Sequence, residues 1–329
     1  MTQSHHTLMQ PWAWRVLVWA ALMFSSMVFA QSFPSKPIRI VVPFGPVGLP
    51  DVLARVVAAK MSESIGQQVI VDNKPGAGGI IAAQFTAHSP ADGYTIMLAG
   101  TDYAITPALH SKLPYDPLRD FAPVTQAIRG HLFLVVNSAL GVKSVHELVA
   151  LAKARPGAIF YGSPGNGSLH HLGMEQFKLS AKIDLKHVPY KGVTQATPAL
   201  MGGEISVMFT TLPSVLAGVK AGRLSILAVL SPQRSAALPD LPTIAELGFQ
   251  GVRVESIMGF IVPAATPRAI VERLNAELVK ALNAPESKAK LGSLDVDVVA
   301  GTPEQYGEQI RRDQEFHARL VREIKLKMD

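Results

Sequence analysis

Short hydrophobic runs alternate with amphipathic stretches along the chain from Ile38 onward. The runs are rich in Val, Ile, Leu and Phe and have few polar interruptions, which is typical of strands buried on both faces of a sheet. The predicted strands are Ile38–Phe44, Val69–Val71, Thr95–Leu98, Leu132–Val136, Ile159–Tyr161, Ile205–Phe209, Ser225–Leu230 and Gly259–Val262.

The stretches between these runs show the three- and four-residue spacing of apolar positions that predicts helices. The clearest example is Asp51–Ile65, where Asp51 is the predicted N-cap and Gly66 the predicted C-terminal glycine. A second helix is predicted over Pro267–Asn283, and Thr302-Pro303 is expected to open the last one. The alternation of strands and helices predicts an α/β fold with mostly parallel sheets.

The length of 329 residues predicts about two domains. The stretches Pro123–Gly130 and Phe249–Ser256 are the predicted crossings between them. Two crossings mean that one domain is inserted into the other. We expect residues 31–126 and 255–329 to form domain 1, and residues 127–254 to form the inserted domain 2.

The first thirty residues have the pattern of a secretory signal peptide. Arg15 precedes the apolar run Val16–Ala30, which ends in the small-residue pattern Val28-Phe29-Ala30. The alternative, a transmembrane anchor, needs about 20 apolar residues, but the sequence before Arg15 is interrupted by Gln10 and Pro11. We therefore expect residues 1–30 to be removed and the remainder to be exported.

Composition narrows the function further. Hydrophobic residues make up 48% and charged residues 17% of the chain, which indicates a globular protein. The net charge of +6 is scattered, so it does not indicate a nucleic-acid partner. Cysteine is absent, which excludes disulfides, thiolate metal sites, cysteine nucleophiles and a lipid-modified cysteine.

Three glycine-rich loops follow predicted strands and precede predicted helices. They span residues 44–51, 75–79 and 161–168. Glycine allows a backbone to approach a ligand closely, and a helix N-terminus presents free N–H groups with partial positive charge. At the carboxyl ends of strands such loops form anion sites without arginine, although each could also be only a tight turn.

Motifs of catalysis are missing from the sequence. There is no nucleotide-binding P-loop, no serine elbow of the G-x-S-x-G kind and no zinc motif H-E-x-x-H. His170 and His171 are adjacent, so on a helix they point in different directions, and no cofactor or metal is expected. An exported hydrolase pairing Ser163 or Ser168 with one of these histidines remains an alternative, but no third member of a triad is evident.

Taken in order, the motifs resemble one family from about Phe33 to the C-terminus. The matching segments are PSKPIRIVVPF (Pro34–Phe44), DVLAR (Asp51–Arg55), NKPGAGG (Asn73–Gly79), DGYT (Asp92–Thr95), GSPGNGSLHHL (Gly162–Leu172), VPYKG (Val188–Gly192), LPDLPTIAELGF (Leu238–Phe249) and PAATP (Pro263–Pro267). The chain resembles the Bug-type extracytoplasmic receptors of the tripartite tricarboxylate transporter family, which are periplasmic solute-binding proteins.

The resemblance implies a fold and a role. The fold would be the two-domain, type II periplasmic-binding-protein fold, in which α/β domains close on a ligand like a Venus flytrap. Family ligands are mostly small carboxylates, and the protein would be a monomer that is not an enzyme. Its partners would be membrane transporter subunits or, as an alternative role, a membrane sensor to which it presents the ligand.

The resemblance also implies a set of ligand-binding residues. The first domain would contribute loops at the carboxyl ends of three strands, and the second a clamp for the carboxylate and a contact to the distal part of the ligand. Carried over by motif, these are Phe44, Gly48, Asp51, Ala77, Gly78, Gly79, Thr101 and Asp102 from the first domain, and Ser163, Gly167, Ser168, His171, Thr210 and Thr211 from the second.

Some positions depart from the family pattern. The family's first loop usually reads P-F-P-P-G-G-x-x-D, whereas Gly45 and Val47 replace a proline and a glycine here, and Leu49 is apolar. The family often has an aspartate at the position of Thr210 and a tryptophan near Ile257. The added bulk and the missing carboxylate predict a monocarboxylate, or an acid with an apolar or aromatic body.

Overall fold

The computed structural model describes residues 33–46 and 48–326. The predicted signal peptide, residues 1–30, and the departure at Val47 therefore lie outside the described residues. Among the helices that are described, none combines the length and apolar character needed to cross a membrane.

The strands of the described chain belong to two sheets. In chain order they are β1 (Ile38–Val42), β2 (Val69–Asn73), β3 (Thr95–Gly100), β4 (Phe121–His131), β5 (Phe133–Asn137), β6 (Phe160–Ser163), β7 (Lys186–Pro189), β8 (Val207–Thr210), β9 (Leu224–Val229), β10 (Glu255–Pro263) and β11 (Val296–Val298). A six-stranded sheet has the order β11-β4-β10-β3-β1-β2, and a five-stranded sheet the order β7-β6-β8-β5-β9.

Helices connect and cover these strands. They are α1 (Leu49–Ile65), α2 (Ile80–Ala87), α3 (Thr101–Leu109), α4 (Val145–Ala154), α5 (Leu169–Ala181), α6 (Val193–Gly202), α7 (Leu212–Lys220), α8 (Arg268–Asn283), α9 (Pro285–Gly292) and α10 (Pro303–Glu323). The α/β fold with two sheets flanked by helices, predicted from the alternating pattern, is confirmed.

Both sheets are mixed rather than mostly parallel. Strand β1 pairs in parallel with β2 and β3, but β10 pairs antiparallel with β3 and β4. In the second sheet β6 is parallel to β7 and β8, whereas β5 is antiparallel to β8 and β9. The antiparallel pairs arise because the chain enters the second sheet from β4 and returns along β10, two long strands that lie side by side.

The prediction for Pro123–Gly130 was incomplete, because this hinge-like stretch lies within the eleven-residue strand β4. Polar residues such as Thr125 and Gln126 break its apolar run, yet both are buried, since β4 is paired on both edges by β10 and β11. Strands β7 and β11 were also not predicted. They are short edge strands with exposed positions, so the hydrophobic pattern gives them little signal.

Local capping signals account for most helix ends. Gly66 ends α1 with a left-handed φ of 66°, as predicted. Thr302 opens α10 through a capping box in which its side chain and that of Gln305 each bind the other's backbone N–H. The prediction that Asp51 is the N-cap of α1 was wrong. Gly48 is the N-cap, and Asp51 lies in the first turn because Pro50 is accommodated at the helix start.

The core of the second sheet includes two helices that begin next to the first sheet. Ile105 and Leu109 of α3, and Leu320 and Val321 of α10, belong to the same buried cluster as Leu172 of α5. Apolar packing therefore joins the layers of the two sheets behind the loops described below.

Candidate functional site

Loops at the carboxyl ends of β1, β2 and β3 surround a very small cavity of about 10 Å³, roughly the space of one water molecule. The structure brings together four of the predicted site residues here, one from the first loop, two from the second and one from the start of α3. The lining consists of Pro43, Phe44, Gly78, Gly79, Met97, Gly100, Asp102, Tyr103, Thr106 and Tyr115.

The loop after β2, residues 75–79, is shaped by its backbone. Ala77, Gly78 and Gly79 form a short 3₁₀ turn with φ values of 47°, 62° and 93°. No side chain caps this turn, and Ala77 and Gly78 are exposed. The turn leads directly into α2, so its amides lie at a helix N-terminus, where an anion is favoured.

Asp51 does not present a free carboxylate to the cavity. Its side chain is 3% exposed and accepts hydrogen bonds from Arg55 Nε and Asn73 Nδ2, both at 2.9 Å. Asn73 also donates to the Phe44 carbonyl at 3.0 Å. Asp51 thus holds the first loop against the end of β2, while Gly48 is exposed at the helix N-cap. The role of Asn73 was not predicted, although it immediately precedes the second loop.

Thr101 ties α3 to the returning strand β10. Its hydroxyl accepts the Ile257 N–H at 2.8 Å and lies 3.2 Å from the Glu255 carbonyl. The next residue, Asp102, has a pKa raised by burial, and the backbone N–H groups of Leu169 and of Asp102 itself partly offset the rise by hydrogen bonding to the carboxylate. Asp102 therefore lies between the first turns of α3 and α5.

The loop after β6, residues 162–168, is held by its own side chains. Ser163 is fully buried, and its hydroxyl donates to the Gly165 carbonyl at 2.9 Å. Ser168 donates to the same carbonyl at 2.7 Å and caps α5 by accepting the His171 N–H at 3.3 Å. These two hydroxyls, predicted to bind the ligand carboxylate, are used inside the loop.

His171 and His187 lie directly beneath this loop. His171 is 5% exposed, and its Nδ1 accepts the Gly167 N–H at 3.0 Å. Its ring stacks on that of His187 with a centroid distance of 4.0 Å and an interplanar angle of 8°. Burial and the neighbouring His171 lower the pKa of His187 to about 4, and burial also lowers the pKa of His171. His187 was not predicted, because only the fold brings β7 beside β6.

Thr210 and Thr211 lie at the end of β8. Thr210 is fully buried, and its hydroxyl has no hydrogen-bond partner in the part of the chain that the structure describes. Thr211 is the N-cap position of α7, and its hydroxyl lies 2.8 Å from that of Ser214. Neither residue lines the small cavity at the first sheet.

Two further cavities lie away from the glycine loops. One cavity of about 750 Å³ lies at the opposite end of the strands of the first sheet, where β1 and β3 begin, and is lined by residues that include Arg39, Phe85 and Tyr94. Another, of about 250 Å³, lies beside α10 and contacts Thr101 and Leu169. Ligands of open α/β sheets gather at the carboxyl ends of the strands, so the glycine loops remain the candidate site.

The geometry gives no support to a serine nucleophile. Ser163 Oγ lies 2.7 Å from His187 Nε2, but Ser163 is fully buried and its proton is donated to Gly165. No group of three or more His, Asp or Glu side chains able to hold a metal ion is found among residues 33–46 and 48–326.

Comparison with known proteins agrees with the sequence resemblance. Residues 53–326 match the family described as tripartite tricarboxylate transporter family receptor, TctC. The chain is 38% identical over 317 residues, 95% of this chain and 94% of the relative, to the UPF0065 protein in the tcbD-tcbE intergenic region of Pseudomonas sp. (strain P51). It is 35% identical to BugT of Bordetella pertussis over 303 residues, 92% of this chain and 93% of that protein.

Solved structures give the same result. An R. palustris protein solved with adipate is 32% identical, with a TM-score of 0.81 over 90% of this chain and 100% of that one. The periplasmic binding protein BugD is 27% identical, with a TM-score of 0.78 over 90% and 100% of the two chains. MatC from Rhodopseudomonas palustris, with bound malate, is 27% identical, with a TM-score of 0.77 over 88% and 100%. The family and these neighbours are solute-binding proteins, not enzymes.

Proposed function

Because the chain belongs to the receptor family of tripartite tricarboxylate transporters, whose members are periplasmic solute-binding proteins, we propose that it captures a small organic acid with one carboxylate and an apolar or aromatic body. It then delivers this acid to a tripartite tricarboxylate-type membrane transporter. After removal of residues 1–30 the receptor acts in the periplasm as a monomer.

The carboxylate class is supported by the loops and by the neighbours. Gly78 and Gly79 precede α2, and Ser168 caps α5, so each loop ends at a helix start where N–H groups favour an anion. Two structural neighbours were solved with adipate and with malate, which are both carboxylates. Micromolar binding needs about −8 kcal/mol, and each charge-assisted hydrogen bond contributes roughly 1.5–3 kcal/mol, so a few backbone donors with some apolar burial suffice.

The single observation that carries the preference for one carboxylate is the position of Asp102. This acidic side chain lines the cavity beside Gly78 and Gly79. Its carboxylate accepts the Leu169 N–H at the start of α5, so a second ligand carboxylate would compete with Asp102 for that helix start, and like charges at close range disfavour each other. The rest of the lining includes Phe44 and Tyr115, which suit an apolar or aromatic body.

The cavity's 10 Å³ is far below the roughly 300–1,000 Å³ of a small-molecule site, and its lining residues all belong to domain 1, residues 31–126 and 255–329. The ligand would therefore bind in a larger cleft that includes this cavity and that opens by a hinge movement between domain 1 and domain 2, residues 127–254. The two strands that connect the sheets, β4 and β10, run side by side and would form the hinge.

The test is a binding panel on the chain from Gln31 onward. Thermal-shift screening followed by calorimetry would compare benzoate-like and aliphatic monocarboxylates with succinate, malate and adipate at pH 7.5. We expect at least about tenfold tighter binding of a monocarboxylate, a difference of about 1.4 kcal/mol. Asp102→Asn should narrow this preference, and the matched control Asp92→Asn, an exposed aspartate paired with Lys36, should not. A clear preference for succinate or malate in the unmodified chain would overturn the proposal.

A further inference from the structure

The loop of residues 162–168 contacts a stack of three rings, in which Tyr161 and His171 are buried and His187 is half-buried. His187 lies between His171 and Tyr161, with ring centroids 4.0 Å and 4.8 Å away and interplanar angles of 8° and 21°. A near-parallel stack of this kind fixes both imidazole planes. The direction of each ring nitrogen is thereby fixed as well.

One hydrogen bond determines which nitrogen of the His171 ring carries a proton. Gly167 N–H donates to His171 Nδ1 at 3.0 Å, so this nitrogen must be unprotonated and the proton of the neutral ring lies on Nε2. His187 Nε2 lies 2.7 Å from Ser163 Oγ, so the second ring contacts the same loop through a side chain. His171 thus acts in a defined tautomer as an acceptor from the loop.

The ion pair of Glu175 and Lys178 lies next to the His171 ring. Glu175 Oε1 lies 4.0 Å from His171 Nε2. It accepts the Tyr161 hydroxyl proton and pairs with Lys178 Nζ at 2.7 Å. Glu175 by itself would raise the pKa of His171, but burial, assisted by Lys178, outweighs it and lowers this pKa. Burial lowers the pKa of both histidines, so both rings are neutral at pH 7.

We propose that His171 is the positioning residue of the ligand-binding loop: its unprotonated Nδ1 anchors the Gly167 peptide and so fixes the course of the loop into α5. The nature of the ligand in this proposal rests on the proposed function, whereas the contact between His171 and Gly167 does not depend on it. His171, expected from the sequence to contact the ligand, acts through the backbone instead.

The proposal has a consequence at acid pH. A proton on Nδ1 would face the Gly167 N–H, and two donors cannot form a hydrogen bond. The groups that face His171 are Glu175 and Lys178 on α5, His187 on β7 and Tyr161 on β6. Because burial lowers the pKa of His171 from its ordinary value of 6.5, we expect the loop to lose its anchor and affinity to decrease only at a pH below 6.5, while the helices remain folded.

Two substitutions at His171 distinguish a role as hydrogen-bond acceptor from a role that only fills space. His171→Asn places an amide oxygen near the position of Nδ1 and does not titrate, whereas His171→Leu fills a similar volume without an acceptor. His146→Asn, at an exposed histidine on α4 of the same sheet, is the matched control. Circular-dichroism melting would verify that each variant is folded.

The first readout needs no ligand. We expect the amide of Gly167 to be protected from hydrogen exchange in the unmodified chain, to lose at least about tenfold of its protection in His171→Leu, and to recover most of it in His171→Asn. Nitrogen chemical shifts of the unmodified chain should show Nδ1 of His171 unprotonated at pH 7.5. A proton on Nδ1, or unchanged protection in a folded His171→Leu variant, would contradict the proposal even if no acid binds.

The second readout is affinity for the acid that binds best in the panel described above. We expect His171→Leu to weaken binding about tenfold at pH 7.5, His171→Asn to recover most of the loss with a flatter pH profile, and His146→Asn to match the unmodified chain. If His171→Leu lost the exchange protection of the Gly167 amide but kept its affinity for the acid, a role of His171 in positioning the loop for the ligand would be refuted. If no panel acid binds the unmodified chain, the proposed function fails, while the exchange and nitrogen-shift measurements still decide the anchoring of Gly167.

Discussion

The two glycine loops of the candidate site are built in opposite ways. The loop of residues 75–79 is mostly exposed, and its 3₁₀ turn has no side-chain cap. The loop of residues 162–168 contains three buried residues and is held by Ser163, Ser168 and His171. Similar glycine content therefore gives one loop shaped by backbone conformation alone and another anchored by its own side chains and by His171.

This difference suggests how the proposed cleft would combine order and adaptability. A loop whose peptides are already anchored loses little conformational freedom when a ligand binds, so less of the binding free energy is spent on ordering it. An exposed loop with few anchors is easier to displace as a cleft opens and closes. We therefore expect changes in the second loop to affect stability and binding together, and changes in the first to affect mainly binding.

The largest expected effect comes from Gly167→Val. A Cβ at this position would lie 2.5 Å from Leu109 Cδ1, and its φ of +71° disfavours any branched residue. We expect a loss of about 2–4 kcal/mol in the free energy of unfolding, together with loss of ligand binding. Urea denaturation and calorimetry would measure both. Gly202→Ala on α6, where nothing lies within 4 Å, is the control. A Gly167→Val variant as stable as the unmodified chain would remove the proposed contrast.

A smaller effect is expected from Gly78→Ala in the exposed loop. Gly78 has a φ of +62° but open space around it, so only conformational strain of about 1 kcal/mol is expected. Affinity should nevertheless fall about tenfold, because the altered turn redirects the amides that line the cavity. The control is Gly141→Ala, which has a φ of +74° and equally open space away from the cavity. Equal affinities in the two variants would count against a binding role for Gly78.

The smallest expected effect is the pH dependence of stability contributed by His187. Its pKa is about 4 in the folded chain and near 6.5 as an ordinary histidine, so between these values the unfolded chain binds the extra proton. Stability should therefore fall as the pH is lowered from 6.5 to 4. His187→Gln retains a polar group near the Nε2 position and should show a shallower fall in the urea midpoint. His146→Gln should keep the slope of the unmodified chain, and an unchanged slope in His187→Gln would refute the assignment.

Local signals predicted the regular parts of the fold well. The left-handed Gly66 and the capping box at Thr302 depend only on residues within one helical turn, so their roles follow from the sequence. Strand β4 was not recognised because its burial depends on partners about 130 and 170 residues further along the chain. Asp51 was predicted to be a helix N-cap because its hydrogen bond to Asn73, 22 residues further along the chain, is not visible in the local pattern.

The candidate site divides in the same way. The glycine loops could be located from sequence, and the structure places Phe44, Gly78, Gly79 and Asp102 around one cavity. The directions in which the side chains of these loops point could not be predicted from the sequence. Ser163 and Ser168 were expected to bind the ligand carboxylate, but their hydroxyls both donate to the carbonyl of Gly165 within the loop.

By itself, the sequence determined the α/β class, the position of the glycine loops and the family, because hydrophobic periodicity, capping residues and motif order are all properties of the chain. Only the tertiary structure decided the mixed order of the strands, the position of His187 beneath the loop of residues 162–168 and the inward direction of Ser163. These depend on contacts between elements such as β6 and β7, whose pairing the local pattern does not encode.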